Sequence, residues 1–410
     1  MPPVAMTVRL VILGGSGAST PELADALRAW PGGAGRRPPL EIALVGRSVE
    51  RLAVVAAEFR RRVGDEGPTV AVDVATERRA ALEGADVVLN QVRVGGLAAR
   101  HFDETFPRDF GLPGEETIGP GGFANALRTV PALRSTWQDV AAIASRALVV
   151  NLTNPSGIVS AAASLEYGLP IVSVCDSPVT LCGAIAARLG RGAGEVHRAY
   201  AGLNHAGWWV PASAEELAAT ADLASGQDAG AVAAVAAVGL PYARYYLHPD
   251  RALAAQLAAG ETRARQLERL QADLLTGYAA GATDLPRRAA AWYGVIVAFL
   301  DAWLHGSAEP LLLGLPNQGR LQALPDEVYA EGPVTLPAPG RLEPLPMPRL
   351  PPLAATLLTR HAAFEALTVE ALRAGSPRLA LVRALLANPL VTSHDQAAGL
   401  VDAIQAGSPS

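Results

Sequence analysis

At 410 residues, half of them apolar, the chain can bury a large core and has room for two domains that share an interface. A formal net charge of −5 with no basic stretch excludes a nucleic-acid surface, and no apolar run is long enough to span a membrane. Every basic side chain other than His is Arg, which excludes a Schiff-base lysine, a phosphate-loop lysine and a lysine general base, while only two cysteines, Cys175 and Cys182, point to a reducing compartment without disulfides.

The N-terminus runs straight into a strand over Val8 to Leu13, without the charged and apolar regions of a secretory signal, so a cytoplasmic protein is expected. Gly14-Gly15-Ser16-Gly17 comes next, and an amphipathic helix begins at Pro21, with Ser19 or Thr20 as its N-cap. Strand, Gly-rich turn and helix in this order are the setting of a dinucleotide loop, in which glycines let the backbone approach a pyrophosphate. The spacing departs from G-x-G-x-x-G, since Thr20 holds the last position, and a plain tight turn would read the same way.

After a loop over Pro31 to Pro39, a strand is expected at Glu41 to Val45 and a helix at Glu50 to Val63. The strand ends in Val45-Gly46-Arg47-Ser48, where a carboxylate would normally take the ribose 2′-hydroxyl. Arg47 and Ser48 suit a 2′-phosphate instead, so NADP stands beside NAD as the expected cofactor. Further strands read at Val70 to Val74, Val87 to Leu89, Ala147 to Leu152 and Pro170 to Cys175. Strands alternating with helices predict an N-terminal Rossmann-type, doubly wound parallel sheet over 1–180.

Beyond residue 180 the pattern changes to helices, at Glu215 to Ala224, Ala229 to Val238, Ala254 to Tyr278 and Ala289 to Leu304. Leu336 to Pro352 is dense in proline and reads as an extended arm. Leu353 to Ala374 and Pro377 to Leu386 close the chain as helices. The expectation for 181–410 is a C-terminal α+β domain carrying substrate, metal and oligomer contacts.

Two strings stand out for chemistry: Val174-Cys175-Asp176-Ser177-Pro178 and Gly202-Leu203-Asn204-His205. Cys175 closes an apolar strand, and the carboxyl ends of strands are where such sheets bind ligands. His205 comes after a turn signal. A lone Cys at a strand end is more often a small buried hydrophobe, and a lone His a satisfied polar residue. Two ligands are also too few for a closed structural zinc site, so a metal here would sit in an open, catalytic arrangement.

Ordered motifs connect these strings. They are Asn90-Gln91-Val92-Arg93-Val94-Gly95-Gly96, Asp103-Glu104, Gly111-Leu112-Pro113-Gly114-Glu115-Glu116-Thr117, Gly119-Pro120-Gly121-Gly122-Phe123, Ala126-Leu127-Arg128-Thr129 and Asn151-Leu152-Thr153-Asn154-Pro155-Ser156-Gly157. Pro241-Tyr242-Ala243-Arg244-Tyr245-Tyr246 and Asn317-Gln318-Gly319 come later. From about residue 8 to residue 395 the chain resembles glycoside hydrolase family 4, most of all its 6-phospho-β-glucosidases.

The resemblance implies a lactate/malate dehydrogenase-like fold, a homodimer or homotetramer, and a glycosidase that uses NAD⁺ and Mn²⁺ outside the usual two-carboxylate scheme. In the family a hydride leaves sugar C3 for the nicotinamide, and the C3 ketone acidifies the C2 proton. A base takes that proton, the glycosidic oxygen departs from C1, water adds, and the hydride returns. The substrate so implied is a small glycoside, most simply a 6-phosphorylated disaccharide.

Residue by residue, Cys175 and His205 match the metal ligands, and Tyr242 matches the tyrosine base. Gly14, Gly15, Ser16, Gly17, Arg47 and Asn90 fall at the cofactor, and Arg93, Glu116, Asn154 and Arg288 near the substrate. Asp176 stands where the phospho-β-glucosidases usually carry Asn; some phospho-α-glucosidases carry Asp there, resembling a general acid. It reads equally as a residue that orients Cys175 or a sugar hydroxyl. Asp176 thus leaves an α-linked sugar open, and Arg288, followed by Ala289-Ala290-Ala291 where relatives tend to have glycines, leaves an unphosphorylated one open. The rivals are a plain NAD(P)-dependent dehydrogenase, which would show net cofactor reduction, and a non-catalytic dinucleotide-binding regulator.

Overall fold

Val8, Leu10, Val11, Ile12 and Leu13 are all buried, and this aliphatic run forms strand β1 (Val8–Leu13). Its alternating side chains go to two cores, Val11 and Leu13 to one, Val8, Leu10 and Ile12 to the other. A strand buried on both faces belongs to a parallel sheet with helices on each side. The computed structural model describes residues 7–64, 70–287 and 289–407 and has that arrangement.

β1 pairs in parallel with β2 (Leu40–Val45) on one side and β4 (Val87–Asn90) on the other. β3 (Val70–Ala75) lies beyond β2, and β5 (Leu148–Asn151) and β6 (Ile171–Ser173) lie beyond β4. The resulting order β3-β2-β1-β4-β5-β6 is that of the dinucleotide-binding fold, as the alternation of strands and helices predicts. The sheet then continues in the antiparallel sense. β10 (Ser307–Pro316) pairs with β6, followed by β11 (Tyr329–Ala338), β7 (Tyr200–Leu203), β8 (Ala206–Trp209) and β9 (Val238–Gly239), while β12 (Arg341–Pro344) pairs with β11. C-terminal helices pack back on the first half: Phe364, Leu385 and Val401 share the core of Val11 and Val149. Among the described residues no helix is long and apolar enough to cross a membrane.

Several elements differ from the sequence reading. The first helix runs over Glu22–Arg28, with Pro21 at its N-cap and no side-chain cap; Thr20 instead accepts a hydrogen bond from Gln91 at 2.9 Å. The long helix expected from Ala254 is two, Pro249–Ala258 and Arg263–Ala279. Gly260 takes φ +64° between them, and Thr262 caps the second by accepting from the Arg265 N–H. The helix expected over Ala229 to Val238 stops at Val235, since Val238 joins the sheet. Ala214–Thr220 likewise ends in a 3₁₀ turn. The proline-dense stretch begins inside β11 and returns as β12, so that only the residues beyond Pro344 remain as an arm.

The helix Gly119–Ile143 has no counterpart in that reading, because Gly119-Pro120-Gly121-Gly122 resembles a turn and Pro131 lies inside it. Its glycines have a positional cause. A Cβ on Gly121 would overlap the Glu115 and Asp103 carbonyl oxygens, and one on Gly122 would overlap Thr117. The helix thus clamps the loop 115–117 against the carboxyl ends of the parallel strands.

Candidate active site

At the end of β1, Gly14 takes φ +84°, and the N–H groups of Gly14 and Gly15 both donate to the Val45 carbonyl at the end of β2, at 3.0 and 2.8 Å. Gly15 crosses so close that a Cβ would lie 2.8 Å from Leu44 Cα. The loop therefore folds over the carboxyl ends of β1 and β2, and among the described residues none accepts the N–H of Ser16 or Ala18. Arg47 is exposed beside it, while Ser48 is taken up in capping the helix Val49–Val63 and donating to Glu50 at 2.9 Å. Asn90 and Asn151 face each other at the ends of β4 and β5, the Asn90 amide donating to Asn151 Oδ1 at 2.8 Å. Asn90 Oδ1 is buried with no partner. A buried acceptor left open beside a glycine loop is the pattern a bound dinucleotide amide would complete.

Cys175 comes directly after β6 and the intervening Val174, and occupies the N-cap position of the helix Asp176–Leu189. Burial, then the charges of Glu331 and Asp176, pushes its thiol well above the usual range. His205 is the second residue of the two-residue turn between β7 and β8 and holds φ +63°, a conformation uncommon outside glycine. Its Nδ1 lies 2.8 Å from Thr117 Oγ1. The Thr117 hydroxyl donates to Glu115 Oε2, which also accepts the N–H groups of Thr117 and Ile118 at 2.6 and 2.9 Å. With its one proton committed, Thr117 can only accept from His205. Nδ1 therefore carries the proton, and Nε2 keeps its lone pair. Burial lowers the His205 pKa to about 3, so the imidazole is neutral at physiological pH. A neutral imidazole with a fixed tautomer is a ready metal donor, and the Tyr242 ring stacked on it also lies within electrostatic reach of the Cys175 thiol. No group of three or more His, Cys, Asp and Glu ligands converges among the described residues, so any such site is open.

Tyr242 stacks on His205, their ring centroids 3.8 Å apart and the planes within 9°. Its two neighbours are engaged elsewhere: the Tyr245 hydroxyl with Arg244 at 3.0 Å, the Tyr246 hydroxyl with His361 Nδ1 at 2.7 Å. The Tyr242 hydroxyl has no hydrogen-bond partner among the described residues. Burial, then the neighbouring Glu115 and Cys175, raises its pKa well above that of a free phenol.

Glu116 is buried between Arg93 and Arg100, the latter at 2.7 Å. Burial works against its ionisation, but the two guanidinium groups prevail and hold its pKa down to about 2. Asn125 donates to the Glu116 carbonyl at 2.9 Å and the Asn154 carbonyl at 3.3 Å, bringing those two residues together. Asp176 is half-buried, and burial raises its pKa; the Trp292 side chain hydrogen-bonds to it. Arg288 lies outside the described residues. Glu331 carries no signal in the sequence. It is buried beside this site, accepts from Tyr200 at 2.8 Å, and is pushed up to about 8 by burial. Trp292 is equally silent in the sequence, whereas Glu115 and Thr117 stand inside one of the ordered motifs without any mark of their role there.

The family profile "Family 4 glycosyl hydrolase" matches residues 32–190, and the "Family 4 glycosyl hydrolase C-terminal domain" matches residues 200–391. The chain belongs to glycosyl hydrolase family 4. Curated members similar to it include a probable 6-phospho-β-glucosidase of Bacillus subtilis, 27% identical over 96% of this chain and 95% of the relative. A 6-phospho-β-glucosidase of Thermotoga maritima is 28% identical over 97% of each chain. The family's α-specific branch is equally near in identity: a maltose-6′-phosphate glucosidase of Clostridium acetobutylicum is 27% identical over 78% of this chain and 80% of the relative. The T. maritima enzyme, solved with manganese, NAD⁺ and glucose-6-phosphate, superposes with a TM-score of 0.85 at 26% identity, covering 97% of this chain and 98% of that one. A malate dehydrogenase of Naegleria fowleri shares the fold at a TM-score of 0.54 and 14% identity, covering 90% of this chain and 99% of that one.

Proposed function

We propose that this family 4 glycosidase hydrolyses 6-phosphorylated β-glucosides by a redox-neutral, NAD⁺- and divalent-metal-dependent elimination and addition. The observation that carries the reading is the stack of Tyr242 on a neutral, tautomer-fixed His205, in a site that also holds Cys175. Relatives solved or named with NAD⁺, manganese and phosphorylated sugars support it.

Cys175 and His205 Nε2 would hold the metal, and the Gly14–Gly17 loop, Arg47 and Asn90 the dinucleotide. When bound, the two groups supply a reversible hydride acceptor and a positive charge for the sugar's C2 and C3 oxygens. Thr117 keeps the His205 proton on Nδ1, away from the metal-facing nitrogen. Tyr242 is the group placed to take the C2 proton, as its phenolate: the charge of a bound divalent metal would oppose the burial that raises its pKa and release the phenolic proton. Asp176, whose pKa burial raises, is the group placed to give a proton to the departing glycosidic oxygen. Arg93 and Asn154 contact the sugar. Glu116, held ionised, fixes the guanidinium group of Arg93.

A second reading, an α-linked substrate, is favoured by Asp176 itself. The deciding experiment is a panel of nitrophenyl glucosides, α and β, with and without a 6-phosphate, assayed with NAD⁺, NADP⁺ and Mn²⁺ varied. Turnover of the 6-phospho-β-glucoside alone, dependent on NAD⁺ and Mn²⁺, supports the proposal. Preference for the α-anomer establishes the second reading. Turnover without either cofactor overturns the mechanism.

A further inference from the structure

The residues flanking Glu331 across the sheet carry no side chain. Glu331 on β11 stands opposite Gly314 on β10 and Gly202 on β7, and the row continues to Ser173 on β6 and Gly207 on β8. None of these glycines tolerates a Cβ: on Gly314 it would overlap Ser173 Oγ, on Gly202 the Gly207 backbone, and on Gly207 the Tyr200 hydroxyl. The row clears a slot, and the Tyr200 phenol crosses it to donate to Glu331 at 2.8 Å. Glu331 is 2% exposed, and among the described residues no Arg or His forms an ion pair with it. Burying a carboxylate without a cation is costly, so burial favours its neutral form, and a cation bound nearby would draw out the charge.

The two ends of this arrangement lead to the thiol and the imidazole of the site. Ser173 lies two residues before Cys175. Asn204, two residues beyond the Gly202 that pairs with Glu331 and with its side chain close enough to favour the charged carboxylate, immediately precedes His205. β6 and β7 are not neighbours; β10 and β11 lie between them. Glu331 stands on an intervening strand, in the same cross-sheet row as Gly314 and Ser173.

We propose that Glu331 is a positioning residue for the metal site, tethering the Asn204–His205 turn and placing a carboxylate behind Cys175 and His205 as the buried counter-charge to a divalent cation. It rests on the metal reading above. Groups that orient metal ligands typically control affinity ten- to a hundredfold.

The test is Mn²⁺ binding to the full-length protein, followed by electron paramagnetic resonance of the free ion, with NAD⁺ affinity measured in parallel. Glu331→Gln keeps the size and the acceptor for Tyr200 but removes the charge. It should weaken the Mn²⁺ dissociation constant by about tenfold or more, leaving that of NAD⁺ within about twofold. Asn204→Ala, which cuts the tether without touching the sheet, should also weaken Mn²⁺ and serves if Glu331→Gln fails to fold. Wild-type Mn²⁺ affinity in a folded Glu331→Gln, or in Asn204→Ala when that variant is used, overturns the proposal. Should the wild-type protein itself take up no Mn²⁺, the metal reading falls, and this proposal with it.

Discussion

The rings of His205 and Tyr242 lie face to face at 3.8 Å, which places a metal-binding imidazole and a phenol with an uncommitted hydroxyl side by side. The contact joins the β7–β8 turn to the segment that opens the helix Ala243–Leu247. Tyr242→Phe preserves the stack and removes only the hydroxyl. It should leave Mn²⁺ and NAD⁺ binding intact while slowing exchange of the sugar's C2 hydrogen with solvent by about a hundredfold or more. Tyr245→Phe should be mild, because the Tyr245 hydroxyl is held by Arg244. The reverse order of effects would assign the base to Tyr245.

Thr117 sets the His205 tautomer, so Thr117→Val should act at the metal rather than at the cofactor. Valine keeps the volume but offers Nδ1–H no acceptor. Manganese affinity should fall about ten- to a hundredfold, the cost typical of losing a partner to a metal-binding His. NAD⁺ affinity, read by nicotinamide-linked fluorescence, should stay within about twofold. Equal manganese affinity in the variant would show that the tautomer is set by another group.

Cofactor choice should be loose. No carboxylate closes β2, Arg47 is exposed, and Ser48 is committed to its helix cap. A 2′-phosphate therefore meets the Arg47 guanidinium and no carboxylate at the end of β2, the nearest acid in sequence being Glu50 on the helix that follows. NADP⁺ should bind within about a hundredfold of NAD⁺, or about 2.7 kcal/mol. A wider gap in calorimetric titrations would mean that a group away from the β2 end selects the 2′-hydroxyl.

Local patterns made the first half of this molecule legible. β1, its glycine turn and β2 are close in sequence, so the parallel sheet and the cofactor loop could be read directly. Cys175 was visible because it closes an apolar strand. The partners that give these residues their properties are not local. Thr117 meets His205 only because Gly121 and Gly122 let a helix press the 115–117 loop onto the strand ends. Glu331 reaches the site through antiparallel pairing of strands far apart in sequence. The helix Gly119–Ile143 was hidden for the opposite reason: glycines serving close approach carry the same local signature as a turn.

The Arg93–Glu116–Arg100 cluster should give the fold an acid-sensitive component. The folded pKa of Glu116, about 2, is depressed below the ordinary 4.5 by Arg93 and Arg100 against the effect of burial. Its contribution is therefore full above pH 4.5 and is lost as pH falls toward 2. Glu116→Gln should flatten the denaturation midpoint over that window. At pH 7 it should also cost about 1–3 kcal/mol, because Arg100, still paired with Glu104, loses its second carboxylate. An unchanged acid profile would place the acid-sensitive group elsewhere.

Asp176 has two possible duties that leaving-group dependence separates. As a general acid it protonates the departing glycosidic oxygen, a service that matters most when that oxygen is basic. As an orienting residue beside Cys175 it would affect every substrate alike. Burial raises its pKa, which favours the protonated form a general acid needs, and the helix Asp176–Leu189 holds it in its first turn, directly after Cys175. Asp176→Asn keeps the size and the hydrogen-bonding capacity but cannot give up a proton. The variant should lose about a hundredfold or more in rate on a sugar or alkyl leaving group, and far less on 4-nitrophenol, which departs without protonation. Manganese affinity should change little. A uniform loss across leaving groups, accompanied by weakened manganese binding, would show instead that Asp176 serves by holding Cys175 in place.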